Sequence, residues 1–152
     1  MRFLGNIEAK IDAKGRVFLP ASFRKTLQAA GEEMLVMRKD VFQDCLVLFP
    51  KSVWDEDLDQ LCSRLNRWSK RDQMVLRTYV SDVESISLDG NGRFLIPRRY
   101  LDKAGIQQAV SFIGVNNTIE IWPAEKTQEP FMDSEDFGSA LEELMKPQPE
   151  GQ

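Results

Sequence analysis

The sequence predicts an α+β fold, mostly β, in which two tandem copies of one small module share a core. A thirteen-residue pattern occurs twice, from Ile11 to Phe23 and again from Leu88 to Tyr100. In each copy, strand-forming residues lead through a turn into a helix that begins at a proline. A module of about 45 residues can hardly bury a stable core alone, so the two modules should form one pseudo-dimeric core.

The two copies are identical at the positions that define a turn. The repeated pairs are Asp12/Asp89, Gly15/Gly92, Arg16/Arg93 and Pro20/Pro97. Five further positions exchange one apolar or aromatic residue for another. The glycine supplies a positive φ, and the aspartate and arginine lie across the turn from each other. We therefore expect two structural turn pairs, Asp12 with Arg16 and Asp89 with Arg93.

The hydrophobic pattern predicts the remaining elements of both modules. Strands are expected at Phe3–Ile11, Met34–Met37, Leu46–Phe49, Val83–Leu88, Val110–Val115 and Ile119–Trp122. Pro50 and Pro123 end the closing strand of each module, since proline donates no ladder hydrogen bond. Gly31 and Gly105 are expected to end the two helices that follow the turns.

Two connecting helices are expected between the modules. Ser52 or Asp55 would cap the first, and Ser69 to Asp72 would separate it from the second. Its apolar residues recur every three or four positions: Leu58, Leu61, Leu65 and Trp68. The second carries Met74, Leu76, Tyr79 and Val80. This apolar stripe packs in the core of the chain or, alternatively, partly on a neighbouring subunit.

The end of the chain changes character and is strongly acidic. From Glu125 onward there are eight acidic and two basic residues, a helix is expected at Ser134–Met145, and Lys146–Gln152 should be disordered. The expected organisation is residues 5–52 for module 1, 53–81 for the connecting helices, 82–125 for module 2, and 126–152 for the acidic helix and tail.

Two Asp-x-x-Gly-Arg turns that run into proline-led helices resemble the MraZ family, over nearly the whole chain. The resemblance implies two AbrB-like swapped-hairpin modules of the double-psi barrel type. It also implies a cytoplasmic, nucleoid-associated bacterial protein that forms ring-like homo-oligomers. Its expected function is sequence-specific transcriptional regulation through double-stranded DNA, at direct repeats upstream of a division and cell-wall gene cluster.

Composition excludes several kinds of chemistry. The chain contains no histidine, which removes histidine-dependent triads and histidine metal ligands. Cys45 and Cys62 are expected to be small core residues, because two isolated cysteines form neither a zinc site nor a disulfide framework. We expect no metal, no cofactor and no small-molecule substrate. We expect no signal peptide, because the first residues form no long apolar run, and no membrane partner, because no apolar stretch is long enough to span a membrane.

Charge is unevenly distributed along this acidic chain, whose sequence pI is about 5.0. The segment from Glu125 onward carries a net charge of −6, which leaves +2 on residues 1–124 of a total of −4. Residues 1–24 carry +3. This excess is modest for a nucleic-acid-binding protein and suits one that binds through several copies at once.

The first turn is the expected DNA-binding loop. Lys14 lies at its tip without an evident partner, Gly15 allows close backbone approach, and Arg16 is shared between Asp12 and phosphate. The corresponding residue of the second turn is the neutral Asn91, so that turn should be more structural. Further candidate DNA contacts are Arg2, Lys10 and Arg93. Arg98 and Arg99 are expected to form a solvated helix face.

Two other classes of function are weighed against DNA binding. The first is an oligomeric interaction or scaffold protein without DNA binding, which the acidic tail would suit. The second is an enzyme that uses Asp12 and Asp89 as an aspartic-protease pair. Neither turn contains the Asp-Thr-Gly or Asp-Ser-Gly sequence, and each aspartate has an arginine nearby that keeps it ionised. We therefore expect no enzymatic activity.

Overall fold

The computed structural model describes residues 1–149 as an α+β protein with a mostly antiparallel sheet. The first module contains β1 (Phe3–Lys10), β2 (Arg16–Phe18), α1 (Ala21–Ala29), β3 (Leu35–Lys39) and β4 (Leu46–Pro50). The connecting helices are α2 (Lys51–Ser63) and α3 (Lys70–Ser81). The second module contains β5 (Glu84–Ile86), β6 (Arg93–Leu95), α4 (Arg98–Ala104), β7 (Ala109–Asn116) and β8 (Thr118–Pro123). A 3₁₀ helix (Ala124–Thr127) and α5 (Ser134–Leu144) follow.

The strands of the two modules interleave. The six-stranded sheet has the order β1-β7-β8-β4-β3-β5, so the first strand of each module pairs with the other module. The two strands that follow the turns, β2 and β6, pair only with each other, in a separate ribbon. Neither module could keep these hydrogen bonds alone, which is why the two depend on one another.

Strand register reveals an approximate two-fold axis between the modules. In the ribbon, Val17 lies opposite Phe94, the residue that matches it in the repeat. In the large sheet, β4 and β8 meet in the middle, with Val47 opposite Glu120. Exchanging β1 with β5, β3 with β7 and β4 with β8 therefore gives the same strand order, read from the opposite edge of the sheet.

The main core lies between the large sheet, the ribbon and helices α1 and α4. Its largest fully buried side chains include Phe3, Phe23, Tyr100 and Phe112. Phe23 and Tyr100 occupy matching positions in α1 and α4, so both helices present one aromatic side chain to the shared core. The Tyr100 hydroxyl donates to the carbonyl oxygen of Asp82, at 3.1 Å, which satisfies its polar group.

Four prolines precede helices in matching pairs. Pro20 and Pro97 occupy the N-cap positions of α1 and α4, and Pro50 and Pro123 those of α2 and the 3₁₀ helix. The predicted cap of α2 at Ser52 or Asp55 is wrong, because α2 begins at Lys51, immediately after Pro50. The proline fixes φ near the helical value and has no N–H that the first turn would leave unbonded.

A smaller apolar cluster covers the other face of the sheet. Trp54 stacks on Tyr79, with ring centroids 5.2 Å apart, and packs edge-on against Phe49. The predicted apolar stripe extends too far, because α2 ends at Ser63 and Trp68 lies beyond it, 94% exposed. Cys62 is also exposed, contrary to prediction, since it lies on the solvent side of α2, whereas Cys45 is buried as expected.

The C-terminal segment begins in contact with the sheet and then leaves it. Thr127 in the 3₁₀ helix shares a 2.6 Å hydrogen bond with the buried Ser111. Helix α5 confirms the expected helix, and all of its residues are exposed. Residues 146–149 form neither helix nor strand, and the rest of the segment expected to be disordered lies outside the described residues. No described helix is both long and apolar enough to cross a bilayer.

Candidate nucleic-acid interface

The first turn is held together by one aspartate. Asp12 Oδ1 accepts hydrogen bonds from the backbone N–H of Lys14 and of Arg16, at 2.9 and 2.8 Å. Its Oδ2 accepts from Arg16 Nε at 2.8 Å. The backbone closes the loop through Gly15 N–H to the Asp12 carbonyl, at 3.0 Å. One carboxylate thus fixes three donors, which leaves Lys14 at a rigid tip.

The second turn repeats this geometry almost unchanged. Asp89 accepts from the N–H groups of Asn91 and Arg93, both at 2.9 Å, and from Arg93 Nε at 2.9 Å. Gly92 N–H bonds the Asp89 carbonyl at 3.0 Å. Both predicted turn pairs are therefore present in the structure.

Each turn is tied to the other module through its glycine. The Gly15 carbonyl accepts from Ile96 N–H at 2.9 Å, and the Gly92 carbonyl accepts from Leu19 N–H at 3.0 Å. Both glycines have a positive φ, +87° and +83°. Any side chain at Gly15 would place a Cβ 3.2 Å from the Ile96 carbonyl oxygen. Glycine is thus required for both the turn and the close approach of the two modules.

Hydrogen bonding keeps both aspartates ionised. The backbone N–H of Arg16 is the main cause that lowers the pKa of Asp12, and the backbone N–H of Arg93 does the same for Asp89. The arginine side chains lower each pKa further. An aspartic-protease pair needs a shared proton and one raised pKa. The lowered pKa of both carboxyls therefore argues against an aspartic-protease pair.

An open cleft of about 590 Å³ adjoins the first turn. It is lined by the turn itself, by the end of β1, and by the residues around Pro97 that lead into α4. Three cationic side chains line it: Lys10, Lys14 and Arg98. Within residues 1–149 none of the three forms an ion pair or donates a side-chain hydrogen bond, so their charges face solvent. Arg16 does not line the cleft; it follows Gly15, which does, and its Nε is engaged by Asp12.

The matching positions around the second turn are neutral. In the repeat, Ser87 corresponds to Lys10, Asn91 to Lys14 and Ala21 to Arg98. The second turn instead meets Arg24, whose side chain lies against Gly92 and whose Nη1 is 3.4 Å from the Asn91 carbonyl oxygen. The residue that matches Arg24 is Leu101, which packs near Gly15. Three cations therefore surround the first turn, where the second has one.

The other predicted basic residues lie in different places. Arg2 precedes β1 and Lys10 ends it, which separates them by roughly 25 Å along the strand. Arg93 is on the second turn, bonded to Asp89. Arg98 and Arg99 have different surroundings. Arg99 bonds Asp82 and Glu84, at 3.2 and 2.8 Å, whereas Arg98 lines the cleft.

Sequence reasoning overlooked Arg98 as a cleft residue and overlooked a second basic surface. The contrast between Arg98 and Ala21 is visible in the repeat alignment and could have revealed that Arg98 differs from its counterpart. The second surface lies along α3 and the loop before it, where four cations occur within eleven positions: Arg67, Lys70, Arg71 and Arg77. Among residues 1–149, no cluster of acidic and cysteine side chains is arranged to hold a metal ion.

Comparison with known proteins identifies the family. The model of the family described as "MraZ protein, putative antitoxin-like" matches residues 2–78 and 81–140. The chain belongs to the MraZ family. Both of its Asp-x-x-Gly-Arg turns lie within the matched residues.

Similar MraZ proteins span almost the full length of this chain. One from Phocaeicola vulgatus, named "Transcriptional regulator MraZ", is 64% identical over 145 residues, which cover 95% of this chain and 94% of its own. A protein of the same name from Bacteroides fragilis is 62% identical over 146 residues, covering 96% and 92%. Another from Christiangramia forsetii is 33% identical over 146 residues, covering 95% and 94%.

Proposed function

We propose that this protein is a DNA-binding transcriptional regulator that contacts double-stranded DNA through the cleft beside the first turn. The observation that carries the proposal is the set of three cations at that cleft that form no ion pair within residues 1–149. Phosphate contacts from lysine and arginine supply most of the affinity of such proteins and position them on the duplex. The names of the similar proteins support the same function.

Each residue of the first turn has a distinct role in this proposal. Lys14 at the rigid tip contacts phosphate, and Gly15 lets the backbone approach the duplex. Arg16 uses its Nε for Asp12 and offers its terminal nitrogens to phosphate. Lys10 and Arg98 extend the contact on either side. Arg2 and Arg93, which lie away from the cleft, contribute less.

Membership of the family supports further proposals about assembly, location and the DNA site. We propose a ring-like homo-oligomer, in the cytoplasm and associated with the nucleoid, that binds direct repeats upstream of a division and cell-wall gene cluster. Several subunits then engage successive repeats, which compensates for the weak charge of one copy. The exchange of strands between modules supports assignment to the AbrB-like swapped-hairpin class, with module boundaries near residues 5–52 and 82–125.

A mobility shift with the DNA directly upstream of the gene tests this function. We expect a shift with that DNA that weakens steeply as salt rises, because binding releases counterions from phosphate. Light scattering should show an assembly well above the 17.4 kDa chain. An unshifted probe at low salt would contradict DNA binding, and a monomer at micromolar concentration would contradict the multivalent mechanism.

Removal of the acidic tail provides a second test. A chain that ends at Asp133 keeps Thr127 and its bond to Ser111, so it should fold as before. It loses five acidic and one basic residue, and its nonspecific DNA binding should therefore strengthen. Loss of a cooperative melting transition would show instead that α5 belongs to the core.

An alternative function is that of an interaction protein that binds another protein and not DNA. The exposed acidic helix α5 and the antitoxin-like description of the family favour it. The mobility shift separates the two, because a protein-binding scaffold produces no salt-sensitive shift. No enzymatic role is proposed, since the carboxylates of both turns are held ionised.

A further inference from the structure

Helix α5 carries an apolar stripe that its own subunit leaves uncovered. Phe137, Leu141 and Leu144 recur at four- and three-residue spacing, so they share one face of the helix. Their exposed fractions are 55%, 46% and 76%. An isolated helix of eleven residues is marginal in water, so a partner that buries this stripe would stabilise it.

The rest of helix α5 is negatively charged. With 3.6 residues per turn, Asp136 and Glu143 lie roughly 110–130° around the helix from the stripe, and Glu135 and Glu142 roughly 130–150° in the other direction. Helix α5 contains no basic residue. Its partner surface should therefore combine an apolar centre with cations around it.

The described part of the chain has a surface of that composition, which we call the α3 surface: Arg67, Trp68, Lys70, Arg71, Met74, Val75 and Arg77. Its apolar members are exposed, Trp68 at 94%, Met74 at 64% and Val75 at 46%. Clefts of about 350 and 520 Å³ lie beside Met74, on either side. Within residues 1–149 none of its four cations has an ion-pair partner.

We propose that α5 of one subunit docks on the α3 surface of a second copy of this chain. The stripe covers Met74 and Val75, while the negative charge on the rest of α5 is attracted to the cations around them. DNA would match the cations but would leave the apolar centre uncovered, so the composition favours a protein helix. The proposal deepens the homo-oligomer of the proposed function by naming the two surfaces that meet.

The linker to α5 favours a second copy over the helix's own subunit. Phe131 packs on Trp122 of β8, with ring centroids 5.1 Å apart. Gln128 donates to Glu8 of β1 at 3.0 Å. These contacts hold the linker on the part of the sheet formed by β1 and β8, whereas α3 is bonded to Arg38 of β3 through its C-terminal carbonyls.

A charge-exchange experiment tests the docking with the full chain. One variant, Lys70→Glu/Arg71→Glu, reverses the α3 surface, and the other, Glu142→Lys/Glu143→Lys, reverses α5. Sedimentation velocity should show self-association of each alone weakened by about tenfold or more, since like charges then face each other. Mixing the two should restore association, because each offers the surface that the other needs. Lys25→Glu, on an exposed position of α1, is the control and should associate as the wild type does.

Each contrary result has a definite meaning. Unchanged association of both variants would overturn the docking while leaving a ring built on other surfaces. A chain that carries all four substitutions separates the two subunits. If mixing fails to restore association and this chain alone restores it, α5 docks on its own subunit, which also overturns the proposal. Reduced DNA affinity of the α3 variant with unchanged association would make the α3 surface a DNA contact instead. These outcomes leave the role of the first turn untouched, because neither variant alters it.

Discussion

The two turns of this protein share one backbone and differ in the charges around it. Corresponding hydrogen bonds of the Asp12 and Asp89 turns agree to within about 0.1 Å. Yet the first turn is surrounded by Lys10, Lys14 and Arg98, whereas the second has neutral residues in those places. The hydrogen bonds hold the fold, so the difference in charge is what can distinguish the functions of the turns.

The comparison also separates the two tasks of each arginine. Arg16 and Arg93 brace their turns through Nε in the same way. Among residues 1–149, three cations without an ion-pair partner lie at the first turn and one, Arg24, at the second, so the remaining charge of Arg16 joins the larger positive surface. The structural role and the proposed binding role therefore fall on the same residue, Arg16.

The largest expected effect comes from giving the first turn the residues of the second. Lys10→Ser/Lys14→Asn/Arg98→Ala should lower DNA affinity by about 10²–10³-fold near 0.1 M salt, because three phosphate contacts disappear from each engaged subunit. The melting temperature should change little, since these side chains are exposed. The matched control is Ser87→Ala/Asn91→Ala, and an equal loss of affinity there would show that the two turns bind alike.

Substitution of the arginines should divide their two roles. Arg16→Ala is expected to weaken DNA binding and also to lower the melting temperature, because Asp12 loses a hydrogen-bond partner. Arg93→Ala should lower the melting temperature to a similar degree with a smaller loss of affinity. Fluorescence anisotropy with labelled DNA and thermal unfolding measure the two effects. Similar affinity losses with unaffected folding would contradict the assignment.

Replacing either turn glycine should lower the free energy of unfolding by a similar amount. Gly15→Ala forces a left-handed conformation on alanine and should destabilise by about 1–2 kcal/mol. Its Cβ also meets the Ile96 backbone, which cannot move easily, whereas at Gly92 it meets the movable side chain of Arg24. Gly15→Ala should therefore cost somewhat more than Gly92→Ala in urea unfolding. The reverse order would mean that Arg24 is held more tightly than the backbone contact.

The smallest effect concerns acid pH and should be common to both turns. The folded pKa of Asp12 and of Asp89 lies below the ordinary value of 3.8, so each contributes stability that is fully present above that pH. The contribution is lost as pH falls through the lowered folded pKa. Asp12→Asn and Asp89→Asn should thus be less stable than the wild type at pH 6, and the difference should shrink below pH 3.8. A constant difference across that range would exclude ionisation as the cause.

The sequence predicted the elements better than their pairing. The repeated Asp-x-x-Gly-Arg pattern contains both the acceptor and the donors of the turn's hydrogen bonds, so both turn pairs could be predicted from local spacing. It does not contain the partner of β2, because β6 is 77 residues away and only the folded pair of modules brings them together. The shared core could be predicted from size alone, but the order of its strands could not.

Errors at the connecting helices have a similar physical origin. Helical spacing from Leu58 to Trp68 suggested one buried face, but periodicity does not reveal where a helix ends. Trp68 falls in the loop after α2 and is exposed. Part of the site was hidden for the same reason, since Arg98 looked like an ordinary helix residue until the fold placed it beside Lys14 in one cleft.

In the proposed function Lys14, at the tip of the first turn, contacts phosphate, and Asn91, at the tip of the second, does not. The most direct test is the slope of log affinity against log salt for Lys14→Ala and for Asn91→Ala, measured on the same upstream DNA. Lys14→Ala should reduce the slope by about 0.9 for each engaged subunit, the value of one lost phosphate contact, and Asn91→Ala should leave it unchanged. Equal slopes for the wild type and Lys14→Ala, or an equal reduction in both variants, would contradict the claim.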